Sequence, residues 1–394
     1  MKIFVMRPQD HTAKVWDAAS GEELFTLKGH KDRISCVAFS PNGQRILTGS
    51  TDHTAKIWET ANGLSADNMG GSLVTLKGPR STVMSIAVSP DGGRIVTSSE
   101  DQTAKVWEAA SGRELLTLNG HGDRINSVAF SPDCHRIITG SEDHTAKVWD
   151  GASGHDLLTL KGHSEPINSV AFSPDGLRIV TGSSDHTAIV WEAASGRALL
   201  TLEGHNKSVA FVSFSPDGQR IMTGSYDNTA KVWDAISGHQ LLTLKGHSGW
   251  VMSVAFSPGG QRIVTGSDDD TAKVWDATSG HDLLTLKGHG DTVTSAAFSP
   301  DGQRIVTGSY DWTAKVWEAA TGRELLTLKG HSDTVASVAF STDGQRIVTG
   351  SQDGTAKVWQ AATAKQVAAW QEEQLAADQR VAALRERQAI NDQK

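Results

Sequence analysis

The chain alternates short apolar-patterned runs with turn-forming residues along most of its length. Residues 162–202 show one cycle, GHSEPINSVAFSPDGLRIVTGSSDHTAIVWEAASGRALLTL. INSVAFS, RIVTGS, TAIVW and ALLTL have the composition of short strands, and SPDG, SSDH and ASG separate them. Pro presets φ for a turn, and Gly, Asn and Asp tolerate the conformations a reversal needs. The cycle therefore predicts four antiparallel strands joined by tight turns. Nothing in it has the 3.6-residue apolar spacing of a helix.

The cycle recurs. Trp16, Trp58, Trp107, Trp149, Trp191, Trp233, Trp275, Trp317 and Trp359 are spaced 42, 49 and then repeatedly 42 residues apart. The longer step marks a seven-residue insertion around Ala61–Gly71. A fixed period of this size means a repeat architecture, and four strands per period predict a propeller blade. Each unit also holds a His 22 positions before an Asp that lies six before the Trp. The sets are His30/Asp52/Trp58, His121/Asp143/Trp149, His163/Asp185/Trp191, His205/Asp227/Trp233, His247/Asp269/Trp275, His289/Asp311/Trp317 and His331/Asp353/Trp359. A polar pair tied to a large apolar ring predicts a satisfied hydrogen-bond network in which His and Trp donate while Asp and a strand hydroxyl such as Thr181 or Ser183 accept.

These residues resemble the tryptophan–aspartate (WD) repeat family of β-propellers, in the Gly-His opening, the turn Asp and the closing Trp-Asp of 149–150, 233–234 and 275–276. The resemblance covers Gln9 to Trp359 and implies an all-β, closed propeller in which the His/Asp/Trp sets are structural. Eight complete units run over 29–359, and a partial unit over 2–27 precedes them. The second unit departs from the pattern, with Gly78-Pro79 in place of Gly-His. The family's closure by an N-terminal outer strand implies that Glu23–Leu27 completes the last blade, giving eight blades; the surplus strands of 2–16 leave a nine-unit count open. The expected domains are 1–361 for the propeller and 362–394 for a helical tail, which has no Gly or Pro and an apolar stripe through Val367, Trp370, Ala377, Val381 and Leu384.

Composition narrows the function. The formal net charge of −8 argues against nonspecific nucleic-acid binding, which needs a cationic face. No apolar run is long enough for a membrane span. Two cysteines, Cys36 and Cys134, make neither a disulfide framework nor a zinc site, so a reducing, cytoplasmic setting is expected. No nucleophile, phosphate-loop, dinucleotide or metalloprotease motif is present, and the fifteen His lack close ligand spacings. No enzyme activity, metal or cofactor is expected. One Arg per unit (Arg45, Arg94, Arg136, Arg178, Arg220, Arg262, Arg304, Arg346) reads as scaffold or solvated rim rather than as a ligand ladder.

In near-identical copies, deviation is the signal. Both tyrosines of the chain, Tyr226 and Tyr310, precede the turn Asp; Trp312 follows it, and Trp250 follows Gly-His. The family's geometry puts both loops on one face, so these aromatics, with Asp268, Asp270 and the neighbouring Phe211, form an aromatic-acidic sector over units five to seven. Lys31, Arg33, Arg80 and Arg124 make units one to three more basic. Exposed aromatics beside charges are typical of protein-binding hot spots. The expected function is a non-catalytic scaffold or sensor module that binds a protein or peptide there. Arrays of near-identical TAKVWD units also resemble bacterial WD proteins in which the propeller belongs to a larger signalling or ATPase-linked polypeptide. The alternatives are drift among duplicated copies and a structural array that self-associates through edge strands or the tail.

Overall fold

The computed structural model describes residues 27, 29–59, 74–77, 81–353 and 355–360. Within them lie eight antiparallel sheets, seven of four strands and one of three, each with its strands in sequence order. We number these blades 1–8 by their residues: 34–77, 83–119, 125–161, 167–202, 209–245, 251–286, 293–329 and 335–360. Blade 4 is representative. Its strands, from the inner to the outer, are Ile167–Phe172, Arg178–Ser183, Ala188–Glu192 and Ala198–Leu202. They correspond to the four runs predicted for that unit.

The inner strands of successive blades lie against one another, and that of blade 8 meets that of blade 1. The ring is therefore closed. Its core is not inside any blade but between blades. Trp191 of blade 4 packs with Ile138, Val148 and Leu160 of blade 3, and Trp233 of blade 5 packs with Val180, Val190 and Leu202 of blade 4. A flat sheet is buried on both faces only when it has a neighbour on each side, so every seam contributes to the stability of two blades.

A tight approach at each seam explains one recurring glycine. A Cβ on Gly182 would lie 2.6 Å from Val212 Cγ1 and 2.9 Å from Val209 Cγ1 of blade 5. A side chain at this position crowds the next inner strand.

Blade 8 shows three strands, and Leu27 bridges to Ala356 on the third. The register is that of an outer strand, because Ala188 pairs with Leu202 in the same way in blade 4. Leu27 is buried with Val348 and Val358 of blade 8 and with Trp58 of blade 1. This agrees with an N-terminal strand closing blade 8, and with eight blades rather than nine. Residues 2–16 and 23–26, the insertion at 61–71, Pro79, Arg80 and the tail at 362–394 lie outside the described residues.

Candidate functional site

The His/Asp/Trp sets come together as expected, with a refinement in who donates. In blade 5, His205 Nδ1 lies 2.7 Å from Asp227 Oδ2, and Nε2 lies 2.7 Å from Thr223 Oγ1. Trp233 Nε1 donates to the same Thr223 oxygen at 3.0 Å. A carboxylate only accepts, so Nδ1 carries the proton and donates. Burial lowers the pKa of the equivalent His163 and His331, favouring neutral imidazole. Nε2 then accepts from the Thr hydroxyl. Threonine is thus acceptor to Trp and donor to His, where the sequence suggested only an acceptor. Ser183, the other hydroxyl considered, instead accepts from Asp185 N at 3.1 Å and holds the turn.

The Asp is the hub. Thr229 N and Oγ1 donate to Oδ1 of Asp227, and Asn206 N joins His205 at Oδ2. Burial opposes ionisation of these carboxyls, but the donors outweigh it: Asp227, Asp269 and Asp311 fall well below the ordinary range, and Asp353 falls to about 2. Every polar atom is committed to the network, which leaves the sets structural. Blade 2 retains the Trp107–Thr97 bond at 3.0 Å.

The Arg ladder is also structural, and its partners lie one blade ahead. Arg178 Nη1 and Nη2 donate to Ala235 O at 2.6 Å and Gly218 O at 2.8 Å in blade 5. Its guanidinium sits 5.5 Å from the Phe214 ring centre. Arg136, Arg220 and Arg262 repeat the arrangement. Arg346 reaches from blade 8 to Gly43 O of blade 1 at 3.2 Å. Cys36 and Cys134 are free thiols; Cys134 occupies a turn glycine's place at φ 65°.

The opposite loops carry the variable residues. Among the described residues, those that follow a turn Asp take a left-handed φ: His53, Gln102, His144, His186, Asn228, Asp270 and Trp312. Trp312 is 53% exposed, Trp250 46% and Tyr310 41%. Tyr226 of blade 5 stacks on Trp250 of blade 6, with ring centres 4.9 Å apart and planes inclined by 28°. Burial, then the nearby Tyr310, pushes the Tyr226 phenol up, so the two tyrosines lie within electrostatic reach of each other. Asp268 accepts from Thr292 Oγ1 of blade 7 at 2.7 Å. Partial desolvation and then the charges of Asp291, Asp269, Asp268 and Asp311 raise Asp270. The carboxylates around Asp270 are electrostatically crowded.

Two expectations shift. Phe211 is not on the loops: it is a half-buried residue of the inner strand Val209–Phe214, where most blades have Ser. The more basic sector is not a free cationic surface. Arg124 is paired with Glu142 at 2.5 Å, and Asp32, Glu100 and Asp123 are interspersed with Lys31 and Arg33. Among the described residues no group of three His, Cys, Asp or Glu side chains converges to hold a metal ion, and no helix is long and apolar enough to cross a membrane.

Eight stretches of the chain, 21–59, 70–108, 112–150, 154–192, 196–234, 238–276, 280–318 and 322–360, match the family described as WD domain, G-beta repeat. The chain belongs to this WD-repeat family. Propellers of the family generally serve as non-enzymatic scaffolds that bind proteins or peptides. Mouse "Dynein assembly factor with WD repeat domains 1" is 52% identical over 44 residues, and its human counterpart is 48% identical over 44. Each match spans 11% of this chain and 11% of the relative, about the length of one repeat. The computationally designed Ika8 protein superposes with a TM-score of 0.75 at 33% identity, covering 85% of this chain and 98% of its own.

Proposed function

We propose that this propeller is a non-catalytic docking platform that binds a basic peptide or protein segment across blades 6 and 7. The observation that carries the reading is Trp312. A bulky residue at φ 69° costs about 1–3 kcal/mol of backbone strain, yet this indole stays half in water beside a crowded set of carboxylates. Nothing in the fold requires it, since the eighth repeat has Gly354 in the corresponding turn. An aromatic face next to unpaired negative charge suits Arg or Lys, through cation–π contact and Coulomb attraction. The free thiols accord with the proposed cytoplasmic setting.

The test is titration of the protein with fluorescent Arg/Lys-rich and Asp/Glu-rich peptides of matched length, beside a Trp312→Gly/Asp270→Asn variant. The reading requires saturable binding of the basic peptides, weakened by salt and lost in the variant. Equal binding of the acidic peptides, or undiminished binding by the variant, would overturn it.

A further inference from the structure

At most joints adjacent inner strands are bridged by side chains at two positions. At the third residue, a Ser hydroxyl accepts a backbone N–H from the next blade: Ser127 from Val170 at 3.3 Å, Ser169 from Val212 at 3.3 Å and Ser253 from Ala296 at 3.0 Å. At the second residue, a polar side chain donates to the next blade's first inner carbonyl. Asn126 reaches Ile167 O and Asn168 reaches Val209 O, both at 3.1 Å, and Thr294 reaches Val335 O at 2.5 Å.

In blade 5 these two positions are Ala210 and Phe211. Neither side chain can donate or accept. Every other blade keeps at least one polar side chain at the pair (Ser35, Ser85, Asn126 and Ser127, Asn168 and Ser169, Ser253, Thr294 and Ser295, or Ser337), and bonds of this kind cross the joints 1–2, 3–4, 4–5, 6–7 and 7–8. The joint between blades 5 and 6 therefore lacks the bridge. It is fastened at its two ends instead. On one face Arg220 reaches Ala277 O at 2.8 Å and Gly260 O at 2.5 Å. On the other, the Tyr226–Trp250 stack crosses the joint, and Asn228 Nδ2 donates to Ser248 O at 3.0 Å.

We infer that the joint between blades 5 and 6, flanked by bridged joints on both sides, is a compliant seam of the ring, and that Tyr226 and Trp250 are the clasp that holds it shut. This assigns the aromatic sector two jobs. Tyr226 and Trp250 spend their faces on each other, and Trp312 and Tyr310 remain for a partner. The inference stands without the docking proposal, because its evidence is within the ring.

Hydrogen exchange with mass spectrometry on the whole protein tests it. Exchange in the inner strand Val251–Phe256 should exceed that in Val209–Phe214 and Val293–Phe298 by about tenfold, the scale of one lost hydrogen bond. Trp250→Ala should speed exchange further at that strand and leave blades 2–4 unchanged. Ala210→Asn/Phe211→Ser, which rebuilds the bridge, should slow it to its neighbours' rate even if Trp250→Ala folds poorly. Equal protection of the three strands in the unmodified protein would overturn the inference. So would a rebuilt bridge that leaves exchange unchanged.

Discussion

Ser98 stands in blade 2 where Gly49, Gly140, Gly182, Gly224, Gly266, Gly308 and Gly350 stand in the other seven. A Cβ at Gly350 would lie 2.5 Å from Val37 Cγ1, and one at Gly140 would lie 2.7 Å from both Ile167 and Val170. Ser98 has that Cβ, and by the same register it faces Ile125 and Val128. Its Oγ is buried and makes no hydrogen bond. Ser98→Gly removes an orphaned hydroxyl, worth about 1–3 kcal/mol, and relieves the crowding. Against this stands about 0.5–1 kcal/mol for the greater freedom of glycine in the unfolded chain. The balance is a stabilisation of about 1 kcal/mol. The reciprocal change, Gly182→Ser, inserts the crowding into a seam built without it and should cost about 2 kcal/mol. Urea unfolding, followed through the buried indoles, reads both changes as opposite shifts of the midpoint. If Ser98→Gly lowers the midpoint and Gly182→Ser leaves it unmoved, contact at this position does not set the spacing of the blades.

Three further outcomes follow from the same geometry. Trp312→Gly should raise stability by about 0.5–1 kcal/mol, strain relief exceeding the added chain entropy, while abolishing binding of basic peptides; thermal unfolding and titration check the two halves separately. Thr223→Val strands the indole N–H of Trp233 and Nε2 of His205 together, and should cost about 2–4 kcal/mol in urea unfolding. Stability should fall with acidification in two stages. The folded-state pKa of His163 and His331 lies below 6.5, so their contribution is present above that pH and is lost as pH falls through the folded value. Asp353, at about 2 when folded against about 3.9 unfolded, contributes above pH 4 and loses its share between about pH 4 and 2. A urea midpoint that rises from pH 7 to pH 5 would contradict the neutral imidazoles.

The features legible in the sequence were those with a period. The Trp ladder, the turn residues and the 22- and six-residue offsets placed the strands and the His/Asp/Trp sets, because each is a side-chain identity fixed by register; the blade count needed the Leu27–Ala356 bridge as well. The partners of the Arg ladder were not legible. Arg178 bonds carbonyls 40 and 57 residues further on, and a carbonyl has no residue type. The dual role of Thr223 needed distances on both sides of one oxygen. The face of Tyr226 and Trp250 could be read, but not their stacking, which depends on the loop of one blade leaning over the next. Phe211 was assigned by its neighbours in sequence. Strand alternation turned it instead toward the joint with blade 6, and the Ser found at most equivalent positions was the signal that could have shown this.

Each guanidinium in the Arg ladder grips the blade that follows it. Such a joint has a front and a back but no memory of position, and Arg346 gripping Gly43 is the same transaction as Arg178 gripping Gly218. No residue in the ring counts to eight. Copy number is therefore an angular matter: it is set by how far each seam turns, and excising one 42-residue unit leaves every surviving unit with the same kinds of neighbour. A gene built from such units can lengthen or shorten by whole turns of its own period and still specify interlocking parts, with closure alone deciding which totals persist.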